Sequence, residues 1–97
     1  MSIKKEHKSK MLGILNVLFP GAQIYLFGSR ARGTYTDSSD VDIAIDAGQK
    51  MELSSVGEAR DVMEALYIPY KVDVVDVYRM PEDMRKMVLS EGKLWRQ

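Results

Sequence analysis

The sequence contains no cysteine and only one histidine among its 97 residues. Without cysteine the chain forms no disulfide, thiolate zinc site or thiol nucleophile, so a reducing cytoplasm is the expected location. His7 cannot make a metal site by itself, and we expect it to be an exposed residue of a helix. No apolar run approaches the roughly 18 residues that span a membrane. A cation site in this chain would therefore be built from carboxylates.

An excess of charge of either sign is also missing. The 14 basic and 14 acidic residues cancel, so nothing favours a surface that coats nucleic acid. The charges are unevenly distributed, however: residues 1–10 hold four lysines, whereas residues 37–46 hold four aspartates and no basic residue. A local acidic patch on a neutral protein is typical of a cation site. The length favours one domain, residues 1–97, with a core of its own.

Apolar periodicity predicts an α+β fold with two layers, one of helices and one a small mixed β-sheet. The charged residues of the middle helix, Arg60 among them, are expected to form a solvated face. We expect the helices to pack on one face of the sheet and to leave the other face open as a cleft. The predicted elements, in order, are a helix over about Lys5–Phe19, a strand over Gln23–Phe27, a helical turn over 29–32, a strand over Asp40–Ile45, a helix over Ser54–Tyr67, a strand over Tyr70–Tyr78 and a helix from Pro81 to the stop signal Gly92.

The second predicted strand carries Asp40 and Asp42 two residues apart. Strand residues at i and i+2 point to the same face, so these carboxylates project side by side while Val41 points into the core. Adjacent carboxylates repel each other unless a cation neutralises them, and oxygen ligands of this kind suit Mg²⁺. Asp46 shares their face but lies roughly 13 Å beyond Asp42 at a rise of about 3.3 Å per residue, so we expect it to be a strand-end or turn residue.

A Gly-Ser turn precedes this acidic pair. Gly28 lets the backbone approach a ligand closely, and the N–H groups of residues 29–32 would point at anionic oxygens. The Ser29 hydroxyl can donate to a phosphate, and Arg30 or Arg32 can pair with one. The alternative is an ordinary strand-to-helix turn with solvated arginines, and Gly-Ser alone would favour that alternative.

The third predicted strand carries Asp73 and Asp76, which are three residues apart and fall on opposite faces. Only one of them can therefore join the acidic pair. Aspartate has a poor intrinsic propensity for the middle of a strand, so its presence there needs a reason. A metal or general-base role would supply that reason, and an exposed carboxylate on an open sheet face is the alternative.

Together, Gly28-Ser29 and Asp40-Val41-Asp42 resemble the signature of the DNA polymerase beta-like nucleotidyltransferase superfamily. The chain is most similar to its minimal nucleotidyltransferase family, and the resemblance covers essentially the whole chain. It implies Mg²⁺-dependent transfer of a nucleoside monophosphate, AMP from ATP, to a hydroxyl. By resemblance, Asp73 is the third carboxylate. The implied site residues are Asp40, Asp42 and Asp73 for metal and catalysis, and Gly28, Ser29, Arg30 and Arg32 for the nucleotide phosphates.

The resemblance also implies a partner, because minimal nucleotidyltransferases commonly act as antitoxins towards helical HEPN-type toxins. Size favours the same expectation, since no acceptor-binding subdomain is evident in the sequence. Leu94 and Trp95 form an apolar tail, in which Trp95 is either a lid on the core or an anchor for a partner. Two other functions stay open: a non-catalytic binding module, and a transferase acting on a small molecule such as an antibiotic.

Overall fold

Four strands form one sheet at the centre of the structure, a computed structural model that describes residues 3–96. The strand order is β3-β2-β1-β4; β1 is antiparallel to both of its neighbours, and β2 is parallel to β3. The predicted mixed sheet and α+β class are therefore confirmed. The elements are α1 (Lys5–Leu18), β1 (Gln23–Phe27), α2 (Ser29–Arg32), β2 (Val41–Asp46), α3 (Leu53–Ala65), β3 (Val72–Asp76), a 3₁₀ helix (Val77–Arg79), α4 (Glu82–Glu91) and β4 (Lys93–Leu94).

The main core lies between one face of the sheet and the helices α1 and α3. Alternation along the strands directs every second apolar side chain to this face, where the helices present their own apolar stripes. Burial of each large apolar side chain contributes about 1.5–3 kcal/mol. The core residues from the helices are Met11, Leu12, Leu15, Ala59 and Met63, and those from the strands are Ile24, Leu26, Val41, Ile43, Ile45 and Val74.

The helix α4 is the exception to the expectation that the helices share one face. Its Val88 is buried with Ala44 and Val77, and Tyr25 packs against this second cluster from the sheet face opposite the main core. The cleft face is therefore partly covered. The apolar stripe of α4 indicated burial correctly, but a helical period carries no information about which face of the sheet the helix covers.

Trp95 is a lid on the main core rather than an anchor on the surface. The side chain is only 8% exposed and belongs to the main core cluster. Its backbone N–H donates to the Ile24 carbonyl at 2.7 Å, which continues the short edge pairing of β4 with β1. The Lys8 ammonium group lies 5.6 Å from the centre of the indole. Of the two tail residues, only Leu94 keeps an exposed side chain, at 37%.

The third strand is shorter than predicted because Asp76 ends it. The Asp76 carboxylate accepts a hydrogen bond from the Tyr78 N–H at 3.0 Å, which caps the 3₁₀ helix. It also accepts from the Met51 N–H at 2.7 Å, and Arg79 lies 3.9 Å away. Asp76 is thus on the face opposite Asp73, as predicted. It is buried, with 2% exposure, and not the open-face carboxylate that was the alternative.

None of the helices within residues 3–96 is long and apolar enough to cross a membrane.

We expect Asp76→Asn to lower the free energy of unfolding by about 1–3 kcal/mol, the range for losing a hydrogen bond to a buried charged group. An asparagine amide offers one acceptor oxygen, so its NH₂ group would face one of the two backbone N–H donors. Urea-induced unfolding followed by circular dichroism measures the loss. Asp61→Asn on the exposed face of α3 is the control, with an expected change within about 0.5 kcal/mol. Equal losses in the two variants would contradict a buried structural role for Asp76.

Candidate active site

The register of the sheet brings three aspartates to one end of its cleft face. Asp42 and Asp73 are paired positions on the parallel strands β2 and β3, so they point to the same face about 4.8 Å apart in backbone spacing. Asp40 lies two residues before Asp42, directly ahead of β2. Asp46 does not join them: its Oδ1 accepts the Gly48 N–H at 2.9 Å, the turn role expected for it.

In this group, called the acidic cluster from here on (Asp40, Asp42 and Asp73), the ionised form of Asp42 is destabilised by its surroundings. Burial is the largest cause that raises the pKa of Asp42, followed by the negative charge of Asp73 and then that of Asp40. The positive charge of Arg32 acts in the opposite direction. The ionised form of Asp42 is therefore disfavoured until a cation compensates it.

Gly28 allows the turn after β1 to lie directly against Asp42. Its backbone has φ 75° and ψ −155°, a conformation that side chains rarely adopt. A Cβ atom at position 28 would lie 3.2 Å from the Asp42 Cγ and would crowd the carboxylate oxygens still more. The helical turn α2 follows and ends at Gly33, whose N–H bonds to the Ser29 carbonyl. The backbone beside Ser29 thus approaches the acidic cluster without an intervening side chain.

This arrangement fits a divalent cation with a phosphate group beside it. Carboxylate oxygens are the ligands that Mg²⁺ prefers, and the Asp42 carboxylate lies in the space that a Cβ at Gly28 would fill, directly against the turn. In the described part of the chain, however, no three histidine, aspartate or glutamate side chains are arranged to hold one ion together. The acidic cluster therefore has its residues in place on the backbone without converged side chains.

Arg60 forms an ion pair with Asp73, one of the three aspartates of the acidic cluster. Its Nε lies 3.3 Å from the Asp73 Oδ1, and both side chains are half-exposed. The same Nε donates to the Val74 carbonyl at 2.8 Å. Arg60 is exposed, as expected for the solvated face of α3, but its contacts with β3 were not predicted from the sequence. The sequence feature that could have predicted these contacts is the position of Arg60 four residues after the buried Val56, at the border of the apolar stripe of α3.

Arg30 is not placed as a phosphate clamp, because its guanidinium group holds the loop that precedes Asp40. The side chain is 3% exposed, and Nε and Nη2 donate to the Ser39 carbonyl at 3.1 and 3.0 Å. It also lies between two aromatic rings, 5.1 Å from that of Tyr35 and 5.0 Å from that of Tyr70.

Arg32 is the exposed member of the pair of arginines that the sequence offered as phosphate clamps. Its charge already acts on Asp42, so its side chain is near enough to the acidic cluster to influence a bound anion. Of the two arginines, only Arg32 stays a candidate for pairing with phosphate.

A cavity of about 660 Å³ begins at Asp40 and Asp73 and extends away from the Gly28 turn, along the β3 edge of the sheet. Its wall combines charged groups from α3 with the apolar and aromatic segment that leads into β3, of which Tyr70 is part. A volume of this size accommodates a small molecule or a large side chain. The acidic cluster thus lies between a backbone turn suited to phosphate and a cavity suited to a second substrate.

The sequence is similar to curated protein adenylyltransferases. It is 27% identical over 88 residues to the probable protein adenylyltransferase MntA of Haemophilus influenzae, covering 91% of this chain and 77% of that relative. It is 32% identical over 91 residues to the protein adenylyltransferase MntA of Shewanella oneidensis, covering 92% of this chain and 65% of that relative. This chain thus spans about two thirds to three quarters of the length of these relatives.

The fold is similar to that of chains in solved toxin–antitoxin complexes. One chain of a toxin–antitoxin crystal structure with AMP-PNP superposes with a TM-score of 0.78 and 28% identity, covering 92% of this chain and 72% of that one. A second likeness is to a complex of the tri-AMPylated Shewanella oneidensis HEPN toxin with its MNT antitoxin, with a TM-score of 0.74, covering 97% and 72%. Its identity of 23% shows the fold alone.

The family described as polymerase beta, nucleotidyltransferase matches residues 16–95, which is most of the chain. This match includes the Gly28 turn, all three residues of the acidic cluster and the four strands that position them. The chain therefore belongs to the polymerase beta nucleotidyltransferase family.

Proposed function

We propose that this chain transfers AMP from ATP to a hydroxyl of a HEPN-type toxin and acts as its antitoxin. The observation that carries the proposal is the pairing of Asp42 with Asp73 in the sheet, with Asp40 beside them and the Gly28 turn against Asp42. This is the acidic constellation that nucleotidyl transfer requires, in a chain of a nucleotidyltransferase family. The relatives that carry the name protein adenylyltransferase support AMP as the transferred group.

The acidic cluster would hold one or two Mg²⁺ ions through Asp40, Asp42 and Asp73. When bound, Mg²⁺ supplies positive charge that neutralises these carboxylates and stabilises the phosphorus under attack. The raised pKa of Asp42 supports this assignment, because its causes are burial and the charges of the other two carboxylates. A cation removes the repulsive part of that cost.

The remaining residues of the site would orient the reaction. The backbone and hydroxyl of Ser29, reached through the Gly28 turn, would bind the terminal phosphates, and Arg32 would offset their charge. The acceptor hydroxyl would then attack from the side of the cavity, where Asp73 favours loss of its proton. A bond forms between the acceptor oxygen and the α-phosphorus, and the bond to the pyrophosphate oxygen breaks.

The partner and the compartment complete the proposal. The toxin–antitoxin complexes that this fold resembles support a protein acceptor, and the family resemblance favours a helical HEPN-type toxin with a tyrosine, serine or threonine as the modified residue. We also propose a cytoplasmic location, since the sequence has no cysteine that could form a stabilising disulfide in an oxidising compartment.

In metal-free buffer, we expect Asp42→Asn to raise the midpoint temperature of unfolding at pH 7. The pKa of Asp42 is raised in the folded state above its ordinary value of 3.8, so ionisation at neutral pH costs stability. The cost is absent well below pH 3.8, grows as pH rises from there to the raised pKa of Asp42, and stays constant above it. Thermal unfolding with EDTA from pH 3.5 to 7.5 should show the advantage of Asp42→Asn shrinking as pH falls. An advantage independent of pH, or matched by Asp61→Asn, would contradict the assignment.

Added Mg²⁺ should stabilise the wild type but not a variant that lacks both carboxylates of the acidic pair. Metal that binds only the folded state raises the midpoint temperature of the wild type, whereas Asp40→Asn/Asp42→Asn should respond little. The measurement is thermal unfolding at rising Mg²⁺ concentration, with Ca²⁺ as a second ion to separate site binding from general ionic strength. Equal stabilisation of wild type and double variant by Mg²⁺ would eliminate a metal site at these two aspartates.

The transfer itself is tested on the complex with a HEPN-type protein, which we expect the neighbouring reading frame to encode. After incubation with Mg²⁺ and ATP, intact mass measurement should show one or more AMP units added to that partner. Asp73→Asn should lower the rate by orders of magnitude, whereas Asp76→Asn should retain transfer at temperatures where it is folded.

Labelled ATP distinguishes the alternatives in the same assay. Label on a small-molecule acceptor would favour the small-molecule transferase, and a stable complex without any label would favour a binding module. Either result would overturn AMP transfer to a protein.

A further inference from the structure

Arg60 is a cation built into the metal-binding end of the site. It comes from α3, a different element from any of the three aspartates, and its Nε reaches the Asp73 Oδ1 at 3.3 Å. The Val74 carbonyl accepts from the same nitrogen at 2.8 Å, which fixes the guanidinium group to the backbone of β3. Arg60 is therefore held beside Asp73 by two contacts, of which only one is with a charged group.

This ion pair involves Asp73, whose carboxylate would have to face Asp40 and Asp42 in order to bind the same ion. Asp42 and Asp73 are paired across the sheet, yet no three acidic or histidine side chains within residues 3–96 are arranged around one ion position. The backbone thus places Asp73 beside Asp42, and one of the Asp73 carboxylate oxygens is in contact with Arg60. The charge of Arg32 acts on Asp42, although no direct ion pair joins them among the described residues.

We propose that Arg60 neutralises Asp73 in the metal-free protein, and that a divalent ion must displace it before Asp73 joins Asp40 and Asp42. Arg60 is a positioning residue in this scheme, and it competes with the metal. The inference rests on the proposed function, since it assigns Asp73 to the metal.

Replacement of Arg60 by a metal ion at Asp73 would require movement of these side chains only. The ion pair is half-exposed, and pairs of this kind are weak, so a doubly charged ion can compete with it. A guanidinium group has five N–H donors, and the Val74 carbonyl can retain one of them while Asp73 turns away. Arg60 then stays next to the cavity that we assign to the acceptor, where its charge is no longer paired.

Binding of Mn²⁺ alone tests the proposal without any reaction. The free ion is followed by electron paramagnetic resonance during titration of wild type, Arg60→Gln and Lys71→Gln. Lys71 lines the same cavity, so its variant removes an equal charge from the same region without removing the ion pair. Arg60→Gln should bind Mn²⁺ about two- to fivefold more tightly, the range expected for loss of a half-exposed competing ion pair. Lys71→Gln should change binding clearly less.

The Asp73→Asn background shows whether the effect passes through Asp73. Asp73→Asn should weaken Mn²⁺ binding, and adding Arg60→Gln to it should produce no further change. Equal effects of Arg60→Gln and Lys71→Gln would mean general electrostatics and would overturn the proposal, as would unchanged or weaker binding by Arg60→Gln. Mn²⁺ binding that does not depend on Asp73 would overturn the metal role of Asp73 together with this inference, whereas the AMP-transfer assay tests the activity separately.

Arginine Nε–H signals in ¹⁵N nuclear magnetic resonance spectra give a direct second readout on wild-type protein. Titration with Mg²⁺ should shift the Arg60 Nε–H signal, and the shift should disappear in Asp73→Asn. A signal that does not respond to Mg²⁺ in wild type would overturn displacement. If Arg60→Gln fails to fold, Arg60→Lys replaces it in the Mn²⁺ titration; a lysine keeps the charge but lacks the planar fork, so tighter binding than wild type is still expected.

Discussion

Repulsion among the three carboxylates of the acidic cluster is the constraint on which the arrangement of this site depends. The sheet imposes it, because the parallel register of β2 and β3 pairs Asp42 with Asp73. That register is in turn held by the apolar side chains on the opposite face, where Ile43 and Val74 are fully buried. A slip of one residue would turn those side chains to the cleft and the aspartates into the core. The hydrophobic core thus supplies the free energy that keeps like charges together.

Asp73 and Asp76 lie on the same strand but differ in burial and in the partners of their carboxylates. Asp76 is buried more deeply, yet two backbone N–H groups donate to it, so its carboxylate is satisfied within the chain. Asp73 has no such donors among its described contacts; its partner is a half-exposed arginine from another element. Backbone donors are permanent, whereas a side-chain cation can be exchanged for a metal ion. The difference in partners therefore separates a structural carboxylate from one that is available for chemistry.

Those parts of the fold and of the site that depend on local geometry could be predicted from the sequence. Parity along a strand places Asp40 with Asp42 and separates Asp73 from Asp76, and helical spacing identifies three long helices. The features that the sequence analysis left wrong or undecided involve contacts between distant elements. No period reveals that Arg30 turns inward to the Ser39 carbonyl, that α4 packs on the cleft face, or that Trp95 closes the core. These outcomes depend on which surfaces remain uncovered once the sheet has formed.

The three arginines around the site have different roles. Arg30 is committed to the loop before Asp40, Arg32 acts on Asp42 through its charge, and Arg60 pairs with Asp73. The acidic cluster is therefore partly neutralised by side chains that differ in how firmly they are held. Under the proposed exchange, a metal would replace Arg60 at Asp73, and the same arginine would then contribute positive charge beside the cavity, where a substrate would have to approach.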